Sequence, residues 1–155
     1  MRSSILVFGL ILSATAAGQT GAGHVFLSLD RPSRADLADL MTVGAGGEWL
    51  LYKGIGVGGD LGYQFSRRAA GNGVGLASLN GSYHFMDPDR LGRLVPFVTA
   101  GYAIAFRSGH LNMFNYGGGA KYWFHRRIGF RAELRDFRAR GGQYVLALRF
   151  GLTFR

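Results

Sequence analysis

No cysteine occurs anywhere in the 155 residues, so neither a disulfide framework nor thiol chemistry is available to this chain. Lysine is nearly absent too. Lys53 and Lys121 are the only two, and the formal net charge of +9 rests almost wholly on arginine. A balance this basic first raises nucleic acid as a partner. However, no segment forms a basic helix face or a run of lysines, and the arginines stand singly or in pairs, so no nucleic-acid partner is expected. The 26 glycines follow no three-residue period, which excludes collagen, and 48% hydrophobic residues exclude disorder. No linker, repeat domain or low-complexity tail interrupts the chain, so it reads as one domain.

The apolar run Ile5 to Leu12 is too short to cross a bilayer as a helix. Arg2 precedes it and Ala14-Thr15-Ala16 follows it. Positive charge, apolar run and A-x-A site in that order make a secretory signal peptide. Cleavage is expected near Ala17 or Gly18, which leaves an exported domain of residues 18–155.

What is abundant is alternation. In Tyr144-Val-Leu-Ala-Leu-Arg-Phe-Gly-Leu-Thr-Phe-Arg155 every second residue from Tyr144 to Phe154 is large and apolar. Those between are small, polar or charged. A strand turns successive side chains to opposite faces, so this segment has one greasy face and one that tolerates arginine. The same period recurs in Ile128 to Phe137, Asn112 to Phe124, Val95 to Phe106, Val74 to Phe85, Ile55 to Phe65, Met41 to Leu51 and, most weakly, His24 to Asp30. Tyr52-Lys53-Gly54 and His125-Arg126-Arg127 read as tight turns, while Met86 to Leu94 is longer and carries Asp87-Pro88-Asp89. On the opposite side the expected loops are Arg31 to Leu40, Ser66 to Gly73, Arg107 to Leu111 and Ala139 to Gln143. Ser33 with Asp36 resembles a capping box, so the first loop is expected to hold one helical turn.

Eight such strands predict an all-β, eight-stranded antiparallel up-and-down transmembrane β-barrel. Strands of about ten residues, tilted near 45°, match the apolar band of an outer membrane. An even number closes the sheet with both termini on one side and removes the unpaired edges that lipid cannot satisfy. The phase then puts Glu48, Asp60 and Glu133 in the lumen with Lys121, Arg131, Arg135 and Arg149. Three acids against four bases is close to balance, and buried charges persist only when paired. A soluble sandwich would instead need a partner sheet for every bulky face.

Pro96-Phe-Val-Thr-Ala-Gly101, Asn115-Tyr-Gly-Gly-Gly-Ala-Lys-Tyr-Trp-Phe124 and Gly129-Phe-Arg-Ala-Glu-Leu-Arg-Asp-Phe137 resemble successive strands of the small outer-membrane β-barrel domain family. That family is OmpA-like and OmpX-like, porin-related and Gram-negative. The resemblance covers essentially all of residues 18–155 and is clearest from Val95 onward. It implies residence in the bacterial outer membrane, contact with outer-membrane lipid and lipopolysaccharide, and recognition by the outer-membrane assembly machinery. The family typically ends in an aromatic residue which that machinery reads, whereas here Phe154 is followed by Arg155. No large periplasmic peptidoglycan-binding domain is expected to follow, so the tethering role of longer relatives is not carried over.

Candidate chemistry is thin. Gly54-Ile-Gly-Val-Gly-Gly59 matches G-x-G-x-x-G, but it opens a strand rather than a helix, so small residues in a crowded barrel explain it better than a dinucleotide. His24, His84, His110 and His125 show no metal-ligand spacing, and no metal or cofactor is expected. Some eight-stranded barrels modify lipid A, and the deacylases among them carry a lipid-facing His-x-Ser pair. This chain has no H-x-S; Ser108-Gly-His110 comes nearest, and His84 with Ser82 and Asn80 reads as lumen packing. Arg31, Arg34, Arg67, Arg68, Arg107, Arg138 and Arg140 fall on the expected outer loops, where guanidinium groups suit lipopolysaccharide phosphates. Arg126-Arg127 lies on the opposite rim. At eight strands the interior is just filled by side chains, so no open pore is expected. The sum is a monomeric integral outer-membrane protein with a structural or surface-interaction role and no reaction of its own. A lipid A-modifying enzyme and a small-ligand or ion conduit are the alternatives, and the short loops offer little for an adhesin to grip.

Overall fold

A computed structural model describes residues 21–33, 40–66, 69–87 and 91–155. The expected signal peptide lies outside these residues, as do Arg34, Arg67, Arg68, Pro88, Asp89 and the Asp36 half of the capping box. The strands are β1 (Gly21–Pro32), β2 (Leu40–Tyr52), β3 (Ile55–Ser66), β4 (Ala69–His84), β5 (Leu94–Phe106), β6 (His110–Trp123), β7 (Ile128–Ala139) and β8 (Tyr144–Phe154). Each pairs antiparallel with the next in chain order, and β8 pairs back onto β1, closing the barrel. In the closing ladder Leu27 faces Phe150 and Ser28 faces Arg149, so outward and inward side chains stay in phase across the seam. The fold is the closed eight-stranded antiparallel barrel that the alternation predicts.

Connections at the end bearing the termini are tight. Tyr52 pairs with Ile55 across Lys53 and Gly54, both at positive φ (39° and 86°). That is a two-residue hairpin whose twist matches the strands it joins. The β6–β7 turn closes with the His125 amide donating to the Ile128 carbonyl at 3.1 Å. Between β4 and β5, Leu91 bridges to Trp123 and the Gly92 amide donates to the Trp123 carbonyl at 2.9 Å, which seats these two residues against the end of β6.

At the opposite end the strands run further than expected. β4 begins at Ala69 rather than Val74, so most of the expected Ser66–Gly73 loop is strand, with Ser66 paired to Ala69 past an irregularity after Gln64. Small residues (Ala69, Ala70, Gly71, Gly73) carry no visible alternation, so the period of the sequence faded where the strand did not. At the end bearing the termini β1 starts early, at Gly21, where Gly21, Ala22 and Gly23 pair with Trp49, Glu48 and Gly47, and at the loop end it runs on to Pro32. Arg31 and Arg138 are consequently strand residues, not loop residues.

The molecule is inside out relative to a water-soluble fold. Among the described residues, sixteen polar or charged side chains are buried against seven hydrophobic ones, while Leu61, Leu79 and Phe114 are each about two-thirds exposed. Three layers fill the lumen. Ala103, Met113, Phe137 and Ala147 form an apolar layer near the loop end, with Leu76 and Val145 packed against it. A charged layer follows. Below it Phe97, Val95 and Trp123, each at most 2% exposed, form the floor at the end bearing the termini.

Candidate functional site

All seven charges assigned to the lumen from the sequence are buried there: Glu48, Asp60, Lys121, Arg131, Glu133, Arg135 and Arg149. Each sits at an inward position of its strand, because charges in an apolar exterior would be unpaired and desolvated at once. The structure sorts them into two neighbouring clusters.

The larger is built on Asp60 and Glu133. Glu133 accepts from Arg131 Nη2 at 3.0 Å and Nε at 3.2 Å, and from Arg135 Nε at 2.6 Å. Arg135 then reaches across the barrel and donates through Nη1 to Asp60 Oδ2 at 2.8 Å. Arg149 Nη1 donates to the same oxygen at 3.2 Å. The other oxygen, Oδ1, lies 2.7 Å from His24 Nε2. Two carboxylates thus hold three guanidiniums and an imidazole in one continuous set of charge-assisted bonds. Gly46 makes the crossing possible. A Cβ there would collide with Asp60 Oδ1 and lie 2.8 Å from His24 Nε2.

The smaller cluster centres on Glu48 of β2. Lys121 donates to Oε2, while Ser82 Oγ donates to Oε1 and His84 Nε2 lies 3.1 Å from that same oxygen. Phe97 separates the clusters and is shared by them: the Arg131 guanidinium stands 4.3 Å and the Lys121 ammonium 5.6 Å from its ring centroid. Arg149 is seated similarly, 3.7 Å over Phe26. Nearer the loop end Asp30, also buried, accepts from Ser28, Thr42 and Gln64, the last at 2.9 Å.

His24 stands out in the sequence only as a candidate metal ligand, and Asp30, Phe26 and Phe97 do not stand out there. The first three share the inward phase of β1, opposite Val25, Leu27 and Leu29, a signal that was present but weak in so short a stretch of alternation. Ser82, His84 and Glu48 bring a hydroxyl, an imidazole and a carboxylate together. They lack the order of a nucleophile–base–acid relay, since serine and histidine meet the same carboxylate oxygen rather than each other. Ser108 and His110 flank the exposed β5–β6 turn. In the Gly54–Gly59 stretch, Gly56 and Gly58 press against Glu48, as crowding requires.

Of the expected outer-loop arginines, Arg107 is held by Asn72 through Nη1 (3.2 Å) and Nη2 (3.1 Å), and Arg140 is exposed in the β7–β8 turn. Arg138 lies on the outward face of β7, where Nε donates to Asp136 Oδ2 at 2.8 Å. Tyr116 donates to that oxygen as well, at 2.8 Å.

Three solved structures place this architecture. The N-terminal β-barrel domain of Pseudomonas aeruginosa OprF aligns with a TM-score of 0.63 and 22% identity, over 86% of this chain and 97% of that one. Neisserial surface protein A aligns at 0.61 with 11% identity, over 86% and 96%. The outer membrane enzyme PagL aligns at 0.51 with 14% identity, over 85% and 99%. No protein-family model matches the chain, and no curated protein does. The chain therefore has the fold of eight-stranded outer-membrane barrels. Because that fold is shared with an enzyme, function rests on the site and not on the likeness.

Proposed function

We propose that this chain is an integral outer-membrane barrel whose lumen is a sealed, charge-paired strut. Its role is structural or surface-interactive, with no reaction of its own. One observation carries the reading: large apolar side chains cover the outside of a closed barrel while its charges are paired inside. Water would penalise that exterior, whereas a hydrocarbon layer requires it, together with the complete backbone pairing that closure supplies. Aromatic side chains gather outward toward both ends, with Tyr83, Phe85 and Phe124 at one and Tyr102, Phe106, Phe114 and Tyr144 at the other. Such belts suit the two membrane–water interfaces.

A void of about 10 Å³ in the lumen, bordered by Asp30, Asp60, Phe137 and Arg149, has room for a single water at most. A conduit would need a continuous polar path, and the buried apolar layers that contain Phe137 and Trp123 interrupt the polar lining. Acyl transfer by a serine would need nucleophile, base and acid in sequence, and the Glu48 cluster does not have that order. The experiment is membrane fractionation with a heat-modifiability gel. The unboiled barrel should migrate apart from the boiled chain and sediment with outer membranes. A single band and a soluble fraction would overturn the proposal.

A further inference from the structure

We propose that Arg138 is the centre of a binding site for the phosphate of an outer-leaflet glycolipid headgroup. The inference rests on the membrane reading above, with the loop end in the outer leaflet. Of the described arginines at that end, the structure prepares this one. Its Nε is fixed by Asp136, which Tyr116 in turn holds. Its guanidinium lies 5.8 Å from the ring centroids of both Tyr116 and Tyr144. Bonding through Nε on the Asp136 side, with the Tyr116 hydroxyl close beside it, turns the Nη1–Nη2 edge, the edge that takes phosphate bidentately, away from the ion pair. The side chain is 60% exposed, so a ligand can reach it. Arg107 differs, since Asn72 takes both of its Nη atoms.

The surroundings fit a lipid rather than a free anion. Arg138 pairs with Tyr144 in the final rung of the β7–β8 ladder, at the rim where headgroups lie. The Ser33 amide donates to the Tyr144 carbonyl at 2.8 Å, and the Tyr144 amide donates to Ser33 Oγ at 3.2 Å, which ties the end of β1 to this rung. One repeat deeper, Asp136, Leu146 and Arg31 form a row across β7, β8 and β1, all pointing outward. Strand spacing puts Arg31 about 10 Å from Asp136, a span of headgroup size. Arg31 and Arg140 add charge on either side. Leu148 and Phe150 continue down β8 as an apolar track for an acyl chain. Rigid aromatic walls, one anchored guanidinium and greasy wall below match an amphiphile with phosphate at its head.

The test uses the whole barrel refolded in detergent, with native mass spectrometry counting bound bisphosphorylated lipid A. Wild type should retain the lipid, and its fully dephosphorylated form should not adhere. Arg138→Gln should weaken binding at least about tenfold, the size of one lost charge-assisted hydrogen bond. Arg138→Lys, which keeps the charge but not the planar fork, should fall between. Arg126→Gln at the opposite rim should bind as wild type. Inorganic pyrophosphate in excess should not displace the lipid; displacement would mean a free-anion site and would overturn the proposal. Equal binding by wild type and Arg138→Lys, or an equal loss with Arg126→Gln, would reduce the effect to diffuse charge and overturn it too. Heat-shift gels on every variant separate the two readings. A barrel that folds and inserts yet binds without regard to Arg138 loses the site and keeps the membrane role.

Discussion

Arg149 stands directly opposite Glu133 in the β7–β8 ladder, yet its guanidinium lies closer to Asp60 on the far side of the lumen. The Nη1 distances are 3.2 Å to Asp60 and 3.8 Å to Glu133. The network is therefore transverse. It ties β3 to β7 and β8, neither of which shares a backbone ladder with it, and so braces the barrel across its bore where strand pairing acts only around its circumference.

Asp60 should consequently be the costliest lumen acid to lose. Asp60→Asn leaves Arg135 and Arg149 without the carboxylate that faces them both, and breaking a buried pair typically costs about 3–5 kcal/mol. Asp60→Asn with Arg149→Met should cost less than the two single changes summed, because a stranded charge has been removed with its partner. Urea titration of the refolded variants measures this. Strict additivity would mean that the two side chains do not meet.

The outward face of β8 should tolerate polarity less well than the inward one. Leu148 points outward and Ala147 is 2% exposed in the apolar layer beside Phe137. Leu148→Arg should cost about 2–4 kcal/mol if that position is near mid-membrane. Ala147→Ser, which buries one hydroxyl, should cost about 1–3 kcal/mol. Folding yield into vesicles and urea midpoints report both, and a Leu148→Arg barrel as stable as wild type would contradict a lipid-facing surface.

Neighbouring glycines on β2 should separate crowding from chain flexibility. Gly46 faces the lumen, where a methyl group collides with Asp60, whereas a methyl on Gly47 meets only the Ala22 carbonyl oxygen, at 3.7 Å. Gly46→Ala should destabilise by about 1–3 kcal/mol through overpacking. Gly47→Ala should be close to neutral. Equal urea midpoints for the two variants would show that the His24–Asp60 crossing does not need the space.

Export makes a prediction at the other end of the chain. Protein recovered from membranes should begin within a few residues of Ala17, read by intact-mass spectrometry. A chain that retains Met1 would contradict both the signal peptide and the membrane reading built on it.

The phase of every strand was legible in the sequence, because bulky apolar residues alternate with glycine, serine, asparagine and charge, and a period of two has only one structural meaning over ten residues. That alone put Glu48, Asp60, Lys121, Arg131, Glu133, Arg135 and Arg149 on inward positions. Strand ends were legible only where large residues marked them. Gly21 to Gly23 and Ala69 to Gly73 extend their strands with side chains too small to show a face. Which inward charge meets which was not legible at all. Arg135 and Asp60 are separated by 75 residues and come together only when β8 pairs with β1 and curvature brings opposite walls within reach of a long side chain. The fate of Arg138 was hidden for the same reason. Local pattern fixes whether a side chain points in or out, since that follows from one strand's geometry. Partners across a bore or around a rim depend on register and closure, which belong to the whole barrel.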